Sequence, residues 1–275
     1  MTPAVSTAAF DGYPMEVALD ELAALGVAAV EPAYIKGYVD FDETAFSEAS
    51  AARLSRLLAD RHLSVQGVSA HMDLSRPDAD AMLARRIAFA GAMGARILIT
   101  NAGPASARDV ILTRLDGALP HLDAARVTLA IENPGHGTGD LIGRGEDGAA
   151  LVRSLAAPQV RLNLDIGNLL TYAGGVEPGL SAALPLAAHV HLKDIAADGP
   201  DWRFVPLGDG LVSWAGVAVA MRRLAPALPL AIELPLRLRR PARGDPIRGP
   251  DRRPLPDIRE AVRRSLAAWS RVAAQ

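Results

Sequence analysis

The sequence predicts an α/β fold, a (β/α)8 barrel spanning residues 1–275 as a single domain. Three observations carry that expectation. Short apolar runs alternate with amphipathic Ala- and Leu-rich segments eight times along the chain, the pattern of repeated βα units. The first strand-to-helix turn reads Ala9-Phe10-Asp11-Gly12-Tyr13 and lacks the spaced glycines of an open dinucleotide-binding sheet. Eight parallel strands also leave two exposed edges unless the sheet closes on itself.

In chain order, the apolar runs place strands at 3–9, 27–33, 64–70, 96–101, 127–132, 160–165, 188–193 and 229–233. The intervening helical periodicity places helices near 15–25, 43–61, 78–93, 107–125, 145–156, 179–186, 213–224 and 258–273. Half of the residues are hydrophobic but only 4% are aromatic, so Ala, Leu, Val and Ile must build the interior, as suits helices packed on parallel strands.

A formal charge of −2 gives no global attraction to nucleic acid or to an anionic membrane. With no cysteine, disulfides, thiolate nucleophiles and Cys-ligated zinc are excluded, which leaves oxygen and imidazole ligands for any metal. The N-terminal stretch has no basic region followed by a long apolar run, and no segment reaches the roughly 18 apolar residues of a spanning helix. The expected location is the cytoplasm.

Two glycine clusters read as loops. Gly135, Gly137 and Gly139 do not complete a phosphate-cradling spacing, and Gly208-Asp209-Gly210 reads as a turn before the seventh helix. Only residues 237–256 depart sharply in composition, with seven arginines against Asp245 and Asp251. This Arg/Pro-rich excursion directly follows the eighth strand, at the mouth of a barrel. There it reads as a lid, a subunit contact or a solvated loop.

Four strands in succession end in a residue able to bind a metal: Glu132, Asp165, His191 and Glu233. A carboxylate beside an apolar strand is costly unless paired or bound to a cation, and the C-terminal mouth is where barrel enzymes do chemistry. Three carboxylates with one imidazole suit one Mn2+, Mg2+ or Co2+. Period-two geometry turns His189, His191 and Lys193 inward together, and likewise Asn163 and Asp165. His189 is a candidate to orient His191. Lys193 is a candidate for a substrate oxygen or for an internal ion pair with Asp194 or another acid. Across the mouth, Glu31, His71 and Asn101 are candidate substrate-hydroxyl contacts, with Asn168 and His136 on the rim. Each of these equally fits a helix cap or a turn closure. Trp202, Trp214 and Trp269 read as packing groups.

With these residues in view, the chain resembles the xylose isomerase-like TIM barrels of the sugar phosphate isomerase/epimerase family, which is related to endonuclease IV. The resemblance spans essentially the whole chain. It is carried by Ile131-Glu132-Asn133, Asp165-Ile166-Gly167-Asn168, His191-Leu192-Lys193-Asp194, Leu207-Gly208-Asp209-Gly210 and Ile232-Glu233-Leu234-Pro235. It implies one metal held by Glu132, Asp165, His191 and Glu233. It also implies Glu132 and Glu233 as acid/base pair for an isomerase or epimerase working through a metal-stabilised enediolate on a small sugar, sugar phosphate or keto-sugar. The chain departs from the DNA-cleaving branch, with Asn101 and Asn168 where histidines are expected and Arg203 in place of the histidine two residues after Asp201. A trinuclear zinc site and an AP endonuclease activity are therefore disfavoured.

One alternative keeps the enolate but expels a β-hydroxyl, making a dehydratase or lyase of a keto-cyclitol or related polyol, like inosose or dehydroshikimate dehydratases, with His71, His136 and Lys193 as acid candidates. A C-glycoside-cleaving subunit with a small partner, and a non-catalytic sugar-binding protein that kept the metal site, are further alternatives. A homo-oligomer is compatible with the excursion.

Overall fold

Strands that are apolar on both faces bury their backbone only by pairing with one another beneath covering helices. The computed structural model, which describes residues 2–274, shows that arrangement. In order the elements are β1 (Ala4–Ser6), α1 (Met15–Ala24), β2 (Ala29–Glu31), β3 (Ala33–Tyr34), α2 (Glu48–Ala59), β4 (Ser64–Val65), β5 (Gly67–Ala70), α3 (Ala79–Ala92), β6 (Ile97–Asn101), α4 (Arg108–Ala125), β7 (Thr128–Glu132) and α5 (Gly145–Leu155). They continue as β8 (Val160–Asp165), α6 (Val176–Ala183), β9 (Ala187–Leu192), β10 (Asp194–Asp198), β11 (Asp201–Val205), α7 (Trp214–Leu224), β12 (Leu230–Ile232), β13 (Leu238–Arg240), β14 (Ile247–Arg248) and α8 (Leu255–Ala273).

The parallel sheet runs β3-β5-β6-β7-β8-β9-β12-β1-β2-β4. β2 and β3 are one extended segment divided at Pro32, which has no N–H to give the ladder. β4 and β5 are likewise divided at Gln66. Because β2 pairs with β4 and β3 pairs with β5, the two ends of the series meet, and Ser69 N–H donates to Pro32 O at 3.0 Å across the join. The predicted eight-stranded barrel is therefore closed. Leu129, Ile131, Leu162, Leu164, Val190 and Ile232 are at most 2% exposed, as the covered strands of a barrel require.

Register positions the site. A shift between Leu162 and Asn163 sets Asp165 level with His191, Glu132 lies level with Asn163, and Ala231 lies level with His191. Glu233 follows β12 directly, its N–H donating to Leu192 O at 3.0 Å.

Several boundaries differ from expectation for local reasons. The first strand stops at Ser6, whose side chain accepts from Ala8 N–H and starts a buried 3-10 turn at Thr7–Phe10. The second predicted helix breaks at Ser47, which caps α2 through Ser50 N–H. The excursion forms strands rather than an irregular loop. β13 pairs antiparallel with β11 and β14 with β13, so these strands and the hairpin β10–β11 make a four-stranded sheet. Arg248 donates to both Asp11 and Asp40, tying that sheet to the segments after β1 and β3. Among the described residues no helix is long and apolar enough to cross a membrane.

Candidate metal centre

Glu132, Asp165, His191 and Glu233 each present one ligand atom, and these atoms all lie within 4.8 Å of one another. His191 Nδ1 is 3.0 Å from Glu132 Oε2 and 3.7 Å from Glu233 Oε2. All four residues are at most 2% exposed. The ends of β7 and β8 are fixed to each other twice, since Asn133 Nδ2 donates to Asp165 O at 3.0 Å and Asp165 N–H donates to Asn133 Oδ1 at 2.9 Å. Asn168 N–H takes Asp165 Oδ1 at 3.0 Å, which leaves Oδ2 directed to the cluster.

This donor set fits a divalent cation. Glu233 Oε1 is buried without a hydrogen-bond partner, and Asp165 Oδ2 and Glu233 Oε2 meet the Lys193 ammonium but no aligned hydrogen bond, so the oxygens facing the cluster retain capacity for a metal ion. Glu31, Glu132, Asp165 and Glu233 are four buried carboxylates and Lys193 is the buried cation in contact with two of them, so the group still favours added positive charge. Burial, and then the neighbouring carboxylates, push Asp165 up to about 6 despite Lys193. The charges of His71 and His191 hold Glu132 well below the carboxylate range against its burial.

The other nitrogen of His191 is also committed. Nε2 lies 2.9 Å from Glu31 Oε1, which accepts as well from Ser69 Oγ at 2.9 Å. A proton on Nε2 thus leaves the Nδ1 lone pair facing Glu132 and Glu233, the tautomer a metal needs. Burial would lower His191, but Glu31, Glu132 and Glu233 raise it well above its ordinary value. Glu31 is driven down to about 2 by the two histidines despite burial. His189 packs edge-on to His191 with ring centroids 5.3 Å apart. It binds Asn163 Oδ1 through Nδ1 at 2.9 Å, and burial lowers it to about 4. Asn163 Nδ2 in turn donates to Glu132 Oε2 at 2.5 Å. Glu31, His189 and His191 form a second group with metal-ligand spacing, sharing His191 with the first.

The expected substrate contacts separate into two sets. Glu31, at 1% exposed, has Oε1 held by Ser69 Oγ and His191 Nε2, while its Oε2 lies 3.4 Å from His189 Nε2 without a hydrogen bond. His71, Asn101, Asn168 and Lys193 do border the cluster. His71 Nε2 is 3.5 Å from Glu132 Oε2, Asn101 is level with Glu132 in the sheet, and Asn168 Nδ2 is 3.5 Å from Glu132 Oε1. Lys193 Nζ lies 2.6 Å from both Asp165 Oδ2 and Glu233 Oε2, so its ion pair is with these acids and not with Asp194. Asp194 instead accepts from Ile195, Gly208, Gly210 and Val212 N–H and from Trp214 Nε1. A Cβ at Gly210 would collide with its carboxylate, which accounts for the Gly-Asp-Gly turn. His136 stands apart on the rim, its Nδ1 2.6 Å from Asp140 Oδ1, while Tyr172 Oη donates to Asp140 Oδ2 at 2.5 Å.

Two further residues, Arg240 of the excursion and Tyr38, close the site from above. Arg240, on β13 and fully buried, donates to Gly135 O at 2.6 Å, Gly244 O at 3.1 Å, Asn168 Oδ1 at 3.2 Å and Pro134 O at 3.4 Å. It thereby clamps the excursion onto the loop after β7. Gly135 lies against Asn168 at φ +76°, where a Cβ would sit 2.8 Å from that side chain. Tyr38 closes the same region, its ring 6.0 Å from Lys193 Nζ, and burial raises its hydroxyl to about 12. Arginine density marked the segment but did not single out Arg240, and no signal marked Tyr38.

A family model described as xylose isomerase-like TIM barrel matches residues 19–265. A comparison with curated protein sequences finds no match. Among solved structures, D-psicose 3-epimerase in the presence of D-fructose superposes with a TM-score of 0.76 at 16% identity, covering 100% of both chains. A xylose isomerase-like TIM barrel protein from Mycobacterium smegmatis in complex with magnesium gives 0.71 at 18%, covering 99% of this chain and 97% of that one. The probable 3-DHS dehydratase AsbF from Bacillus anthracis gives 0.67 at 16%, covering 86% and 93%. At these identities the likeness shows the fold.

Proposed function

The chain belongs to the xylose isomerase-like TIM barrel family, and we propose that it is a divalent-metal-dependent isomerase or epimerase of a small sugar or keto-sugar. The observation that carries this reading is the placement of Glu132 and Glu233 at the two ends of the four-strand arc β7-β8-β9-β12, both facing His191 Nδ1. A divalent ion, Mn2+, Mg2+ or Co2+, held by Glu132, Asp165, His191 and Glu233, supplies the charge that polarises a substrate carbonyl and acidifies the adjacent C–H. Glu132 and Glu233 then remove and return a proton at that carbon, one from either side. Asp165 and His191 keep the ligand geometry. Asn168, His71, Asn101 and Lys193 border the cluster and are the groups we assign to substrate oxygens.

Elimination of a β-hydroxyl is the second reading. It is favoured by the unpartnered, buried Nε2 of His71 beside Glu132 and by the fold shared with the probable dehydratase. Incubating Mn2+-loaded protein with ketohexoses and keto-cyclitols and following the products by NMR separates the two. Epimers or aldose–ketose pairs support the first reading, and loss of water with a new vinylic proton replaces it with the second.

A further inference from the structure

Of the 29 lysines and arginines in the chain only two are lysines, Lys36 and Lys193. Lys193 is 1% exposed at the centre of the carboxylate cluster. Its ammonium is 2.6 Å from Asp165 Oδ2 and from Glu233 Oε2, the same oxygens that lack an aligned hydrogen bond. The contact is thus one of charge without directional bonding. Two aromatic rings also stand near it, Phe204 at 5.6 Å and Tyr38 at 6.0 Å, and such rings can receive a cation. A lysine is a compact charge on a flexible stem, whereas a guanidinium fork would be fixed in place. Four bonds of stem let Nζ move between the two settings without moving β9.

We propose that the Lys193 ammonium is an internal competitor for the divalent ion. It balances Asp165 and Glu233 while the cluster holds no metal, and it moves toward the Tyr38 and Phe204 rings when metal is loaded. Lys193 thereby sets the metal affinity and offers its charge to the substrate side only in the loaded protein. The proposal rests on the reading of the four residues as a metal centre. It adds that loading and the position of one cation are coupled, because two like charges cannot share the same pair of oxygens.

Selective labelling makes the test direct in the wild-type protein, because lysine labelled at Nζ and Cε gives two side-chain signals, and Lys36→Arg assigns them. Titration with diamagnetic Mg2+ should shift the Lys193 signal with the same saturation curve that calorimetry reports for Mg2+ binding, leaving Lys36 unmoved. In parallel, Lys193→Met and Lys193→Gln should bind Mn2+ tighter by about tenfold or more, since a like charge has been removed from contact distance. Lys193→Arg should not gain affinity. Saturating Mg2+ that binds by calorimetry but leaves the Lys193 signal in place would overturn this proposal while the metal centre stands. So would unchanged or weaker Mn2+ affinity in folded Lys193→Met and Lys193→Gln. Absence of any Mg2+ or Mn2+ binding by the wild type would overturn the metal centre along with it.

Discussion

Glu31 and His191, 160 residues apart in sequence, meet at 2.9 Å between Oε1 and Nε2. Parallel pairing of β1 with β2 and with β12 brings their strands to the same side of the barrel. This bond fixes which imidazole nitrogen is free for a metal, so Glu31→Gln, which can bind His191 but without the charge, should weaken Mn2+ affinity by about 10- to 100-fold. Isothermal titration on the folded variant checks it. Wild-type affinity would return Glu31 to a packing role.

Asp165→Ala and His191→Ala each delete one ligand, and elemental analysis should find the bound Mn2+ or Mg2+ falling from about one per chain to near none. Unchanged stoichiometry in both variants would remove the basis of the four-residue centre.

Arg239 and Arg240 are sequence neighbours with opposite expected effects. Arg239 pairs with Asp201 at 57% exposure, so Arg239→Ala should change stability by no more than about 0.5 kcal/mol. Arg240→Met leaves the Gly135 and Gly244 carbonyls and Asn168 Oδ1 without their donor and should cost on the order of 2 kcal/mol or more. It should also raise KM through the loosened loop after β7. Chemical denaturation of both variants, with kinetics once a substrate is found, distinguishes a fixed flap from a solvated loop.

His136 is raised above its ordinary value, first by its hydrogen bond to Asp140 and against partial burial. A histidine raised in the folded state contributes stability that is complete below its unfolded pKa of about 6.5 and is lost as pH rises through the folded value. Asp140→Asn should therefore lower the NMR titration midpoint of His136 and reduce stability mainly on the acidic side of neutrality. A midpoint that does not move would mean that the Asp140 contact is absent in solution.

The fold was legible because eight apolar runs alternate with helical periodicity over the whole chain, and the candidate site because carboxylates at strand ends such as Asp165 and Glu233 stand out against Val, Leu and Ile. What stayed hidden depends on long-range register. Nothing near residue 240 says that β13 will pair with Trp202 and Arg203 and so carry one arginine of seven into the barrel mouth. The contacts of Glu31 with His189 and His191 stayed hidden because those partners lie far along the chain. The break at Ser47 is a local capping choice that an unbroken helical period conceals.

In the proposed function Glu132 and Glu233 move a proton at the carbon beside a substrate carbonyl. Turnover by metal-loaded protein in D2O, followed by NMR, reads that transfer. Deuterium should appear at that carbon in wild type, and Glu132→Gln and Glu233→Gln, with metal occupancy confirmed, should slow turnover by about 10²- to 10⁴-fold. Turnover with no deuterium at that carbon, together with near-normal rates in both metal-loaded variants, would remove the acid/base role from Glu132 and Glu233.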